Sequence, residues 1–182
     1  MKHSDMQKFS DKWWGRAEST GRRIFQLVPQ EMLDNLSRHV IAKNGLEFEI
    51  SICMEEISEL ATELILDNSV QNTAGEIADV FITLNHVTYG YNIQQQVHKN
   101  RTEKIKNPEL LVGNNARIIA LLELQKELLK HLNRKRDNMD AIIDKTGDAY
   151  TALARMVIGR NNLPLVRKAI YDKIDRTFRR ER

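Results

Sequence analysis

The sequence has one cysteine, Cys53, and only three prolines and eight glycines in 182 residues. A lone cysteine excludes an intrachain disulfide and any zinc site built from several thiolates. Cys53 itself is expected to pack in a core rather than to react. So few prolines and glycines leave long stretches without a helix breaker. Aromatic and β-branched runs that alternate at period two are scarce, which argues against strands. No apolar run is long enough to cross a bilayer. Met1 to Ser10 are polar and mixed in charge, unlike a signal peptide. These absences point to a cytoplasmic protein away from membranes. A net charge of +3 is too small to call for nucleic acid by itself.

What is present favours an all-α fold. Apolar residues make up 41%, enough for a sizeable core, and the 29% that are charged suit helices with solvated outer faces. We divide the chain into an N-terminal extension (1–29), a helical unit (30–106), a linker (107–115) and a second helical unit (116–182) that ends in a basic helix. In the extension, Trp13 and Trp14 are read as anchors to the helical body rather than as a stacking surface for a base.

Helical spacing of apolar residues places four helices in the first unit. One runs from Gln30 to Lys43 and stops at Asn44-Gly45. The next spans about Leu46 to Leu66, with the stripe Ile50, Cys53, Ile57, Leu60, Ala61 and Leu64. Asp67 to Thr73 is polar and turn-like. A third spans about Ala74 to Tyr89, and a fourth carries Ile93, Val97, Arg101 and Ile105 before Pro108. The second unit is expected to hold helices from about Ala116 to Lys135 and from about Gly147 to Gly159, then a turn at Asn161-Asn162-Leu163-Pro164 and a basic final helix to Arg182.

The two units resemble one another. Glu55-Glu56-Ile57-Ser58-Glu59-Leu60 lines up with Glu123-Leu124-Gln125-Lys126-Glu127-Leu128, and Gly75-Glu76-Ile77-Ala78-Asp79 with Gly147-Asp148-Ala149-Tyr150-Thr151. The identities are few, so the repeat is read from pattern and order.

Chemistry concentrates in the carboxylates Glu55, Glu56, Glu59, Glu76 and Asp79. Glu56 and Glu59 are three apart and share a helix face, as do Glu76 and Asp79 on the next helix. If the two helices are antiparallel neighbours, two acidic pairs converge on one seam. Like charges brought together in a half-buried place are costly unless a cation lies between them. Hard oxygen ligands without histidine or cysteine suit Mg²⁺ rather than zinc. The bland alternative is a solvated acidic face. Asp79 weighs against it, because it lies inside Ile77-Ala78-Asp79-Val80-Phe81-Ile82.

Glu55-Glu56-x-x-Glu59 followed by Glu76-x-x-Asp79 resembles the EExxE…ExxD signature of the MazG-like nucleoside triphosphate pyrophosphohydrolases. The flanking words and the downstream Val97-His98-Lys99-Asn100-Arg101 are also similar, over roughly residues 30 to 106. The resemblance implies a MazG-like helical bundle and Mg²⁺-dependent cleavage of a (deoxy)nucleoside triphosphate between its α- and β-phosphates, with Mn²⁺ as a substitute ion. It assigns Glu56, Glu59, Glu76 and Asp79 to the metal and Glu55 to orienting a ligand or water. Glu55, Glu56 and Glu59 are thus the catalytic candidates, and Lys99, Asn100 and Arg101 the phosphate contacts. For Lys99 and Arg101, solvated charge on an amphipathic helix is an equal reading.

The second unit carries Leu124, Glu127, Asp148 and Thr151 at the corresponding positions, so it is read as a degenerate copy without its own site. It would stand in for the second subunit of a helical dimer, as a tandem pseudo-dimer or part of a homo-oligomer. A chain ending near Asn115 is then expected to be insoluble or to self-associate. The crowded Arg167, Lys168, Lys173, Arg176, Arg179, Arg180 and Arg182 are read as complementing the last helix's dipole. The rival is a phosphate-binding patch, and with it a non-catalytic module that binds nucleic acid or a protein partner through this basic surface.

Overall fold

The computed structural model describes residues 28–66, 69–107, 111–134, 137–160 and 163–179; Trp13, Trp14, Arg180 and Arg182 lie outside them. The described residues form seven helices and no strand. They are α1 (Gln30–Asn44), α2 (Leu46–Leu66), α3 (Val70–Gly90), α4 (Gln94–Lys104), α5 (Asn114–Arg134), α6 (Met139–Arg160) and α7 (Leu163–Arg179). None is long and apolar enough to cross a membrane.

α3 is the hub, in contact with α1, α2, α4, α6 and α7. Every residue from Val80 to Thr88 is buried, as expected of a helix surrounded by others. Two of its buried polar side chains bond back to their own helix: Thr83 Oγ1 donates to the Asp79 carbonyl at 3.0 Å and Asn85 Nδ2 to the Phe81 carbonyl at 2.9 Å. α2 runs antiparallel to α3. Leu46, at the start of α2, lies where a side chain on Gly90 at the end of α3 would stand. Glu49 bonds to His86 further in, and Glu56 meets Asp79 further still. The stripe read from the sequence of α2 is the buried one, from Ile50 to Leu64. Cys53 is fully buried, and burial pushes its thiol pKa up to about 12, which makes it a core residue.

Two helix starts differ from expectation. α3 begins at Val70 rather than near Ala74, because the Ser69 hydroxyl accepts from the Asn72 backbone N–H and caps the helix. α6 begins at Met139 rather than near Gly147. Lys104 of α4 bonds to both Asp144 and Asp148, so the polar turns of α6 are neutralised by tertiary partners. Gly147 is therefore internal to α6. A β-carbon there would meet the Asn100 side-chain amide, which would have to shift. α1 stops as expected at Gly45, which takes φ +86°.

Candidate functional site

The antiparallel α2–α3 hairpin brings Glu56, Glu76 and Asp79 together, with one carboxylate oxygen of each within 4.8 Å of the others. Ile57 and Leu60 on α2, and Ile77 and Val80 on α3, are fully buried and fix the faces that the acids share. Glu59 is exposed at the rim; with Ser58, Thr62, Glu63 and Glu76 it lines an open cavity of about 280 Å³. Glu55 is exposed and outside the three-carboxylate cluster.

The electrostatics follow from this crowding. Burial first, and then the nearby Glu59 and Glu76, hold the Glu56 carboxyl above the usual range against the pull of Lys173. Burial and Glu59 raise Glu76 in the same way. Glu76 Oε2 is shut off from solvent and has no hydrogen-bond partner. An oxygen so placed needs a cation or a proton. The donor set is all carboxylate oxygen, which fits a hard divalent ion such as Mg²⁺.

One cation reaches the cluster from the far end of the chain. Lys173 of α7 places its Nζ against Asp79 Oδ1 and is also attracted by Glu56 and Glu76. Burial is the largest influence on it and lowers its ammonium pKa, which its acidic neighbours oppose. In the sequence Lys173 belonged to a basic tail explained by the helix dipole.

The three phosphate-contact candidates on α4 point in separate directions. Lys99 is exposed. Asn100 Nδ2 donates to Asp144 of α6 at 3.4 Å. Arg101 stacks over the Tyr150 ring at 5.1 Å and bonds to His98 Nδ1 at 2.9 Å. It lines a cavity of about 250 Å³ with Asn85, Gln94 and Tyr150, and none of the clustered carboxylates lines that cavity.

The second hairpin, α5–α6, holds no such cluster among its described residues. Leu124 and Thr151 are fully buried. Glu127 pairs with Lys130 at 2.6 Å and accepts from Asn138 at 2.9 Å. Asp148 pairs with Lys104 at 2.7 Å and with Lys145 at 3.4 Å.

A further pair escaped the sequence reading. His86 Nδ1 lies 2.8 Å from Glu49 Oε2, both on apolar stripes of their helices. Burial opposes ionisation of Glu49, but bonds from His86 and Asn44 outweigh it and hold its carboxyl below the usual range. No family model, no curated protein and no solved structure matches the chain.

Proposed function

We propose that the protein is a Mg²⁺-dependent nucleoside triphosphate pyrophosphohydrolase of the MazG-like kind, with its site on the α2–α3 seam. The observation that carries this is the convergence of Glu56, Glu76 and Asp79, one of whose oxygens is buried without a partner. Glu56, Glu76 and Asp79 would hold the ion, and Glu59 stands at the rim outside that cluster. Bound there, Mg²⁺ would neutralise phosphate charge and make a bound water more acidic.

The chain's own groups complete the chemistry. Water adds to the α-phosphorus, the bond from that phosphorus to the bridging oxygen breaks, and pyrophosphate leaves with the bond's electrons. Glu59, exposed beside the cluster, takes the proton of the attacking water. Glu55, further out, orients water or ligand. Lys173, at the cluster, stabilises charge that develops on the departing phosphates. Lys173 comes from the last helix of the second unit, which supports the tandem reading: a degenerate copy without a carboxylate cluster of its own lends a cation to the first.

The rival module that binds nucleic acid or a partner needs its basic residues outward. Lys173 is half-buried at the cluster, and Arg176 lines the adjoining cavity. Lys173 is thus engaged by the acidic site and not presented outward, which favours the enzyme. The test is pyrophosphate release from eight ribo- and deoxyribonucleoside triphosphates, with Mg²⁺ or EDTA, by wild type and Glu59→Gln. We expect metal-dependent release that the variant loses. No release from any triphosphate by folded protein would refute the proposal.

A further inference from the structure

We propose that the cavity between α1, α3 and α7 takes the nucleoside end of a nucleotide, and that His86 recognises it through a hydrogen bond at Nε2. The inference rests on the triphosphate reading for its orientation, with phosphates at the carboxylate end and the nucleoside beyond.

The cavity measures about 270 Å³. That is just below the range of roughly 300–1,000 Å³ for whole ligand sites, so it fits one end of a nucleotide rather than all of it. Leu36, Val40 and Ile82 supply apolar wall. Asp79 and Lys173 belong both to this cavity and to the carboxylate cluster, so the two spaces adjoin. Arg176 stands beside them as a second cation. The cavity thus has an apolar body and a charged mouth, which is the polarity of a nucleoside phosphate.

His86 gives the cavity its specificity. The residue is 5% exposed and lines the cavity. Its Nδ1 is committed to Glu49 at 2.8 Å, and Asn44 Nδ2 donates to the other Glu49 oxygen at 2.7 Å. An ionised carboxylate only accepts, so Nδ1 carries the proton. Nε2, the ring's other nitrogen, is buried and has no hydrogen-bond partner. Native folds rarely leave such an atom unused. A polar edge of the base or a sugar hydroxyl entering the cavity would satisfy it. Glu49 and Asn44 are positioning residues, since they fix the tautomer and ring without lining the cavity.

The test uses the full chain in EDTA, so neither metal nor turnover enters. Eight ribo- and deoxyribonucleoside 5′-monophosphates are titrated while the imidazole ¹⁵N resonances are followed. We expect at least one to shift the His86 Nε2 resonance. Its affinity should fall about tenfold or more in His86→Phe. His86→Gln keeps a hydrogen-bonding group and should recover part of the loss. The wild-type resonance reports even if His86→Phe misfolds. If no monophosphate moves Nε2, or His86→Phe binds nucleotide as well as wild type does, the inference is overturned. Triphosphate hydrolysis with a silent His86 would overturn this inference alone. A responsive His86 without hydrolysis would leave it standing and remove the enzymatic reading.

Discussion

The α2–α3 and α5–α6 hairpins are made of helices of almost equal length, with acids at matching sequence positions, yet they neutralise those acids in opposite ways. In α5–α6 each surviving acid is tied to a lysine: Glu127 to Lys130, and Asp148 to Lys104 and Lys145. The other two positions hold Leu124 and Thr151, which join the core. In α2–α3 three carboxylates face one another and share a single lysine from α7. The first arrangement completes its charge balance inside the protein. The second leaves acid in excess, with two carboxyls held above their usual range. Excess of that kind costs stability and is what a cation-dependent site requires.

Activity should separate the two seams most sharply. Glu76→Gln or Asp79→Asn should lower pyrophosphate release by about a thousandfold, since each removes part of the metal shell. Asp148→Asn, at the position matching Glu76, should stay within about twofold. Equal losses in the two hairpins would break the comparison.

Stability should show the reverse asymmetry. Leu124→Ala opens a cavity in a fully buried place and should cost about 2–5 kcal/mol in chemical denaturation. Lys104→Ala strips Asp144 and Asp148 of a shared, half-buried partner and should cost about 1–3 kcal/mol by the same assay.

Smaller effects sharpen the account. The folded Glu49 carboxyl lies below its ordinary value, so its stabilisation is present above the unfolded pKa of about 4.3 and is lost as pH falls through the folded one. Denaturation between about pH 3 and 7 should therefore show a steeper acid loss for wild type than for Glu49→Gln. The smallest expected change is a gain. Glu76 has a raised carboxyl, so its charge opposes folding at neutral pH without metal. Glu76→Gln should raise the Tm of metal-free protein by about 1–3 °C, the scale of a partly screened charge in a domain of this size. Excess Mg²⁺ should reverse that ranking by stabilising wild type alone.

What could be read from the sequence follows from distance along the chain. The acids of α2 and α3 were legible because helix period sets their faces and adjacent helices tend to lie side by side. Lys173 was not, since the docking of α7 on α3 leaves no local pattern. Glu49 and His86 each interrupt an apolar stripe, but only the antiparallel register reveals them as a pair. The start of α6 was hidden because Asp140, Asp144 and Lys145 make its first turns look like a loop, and the neutralising Lys104 lies on α4. Asn100 and Arg101 were expected at phosphates, whereas the packing of α4 against α6 turns one to Asp144 and the other to Tyr150.

The most direct measurement is Mn²⁺ binding, followed by paramagnetic resonance, to wild type, Glu76→Gln and Asp148→Asn. The account predicts one bound ion for wild type and for Asp148→Asn, with affinity reduced about tenfold or more by Glu76→Gln. Equal binding by all three proteins, or none by wild type at millimolar Mn²⁺, would contradict it.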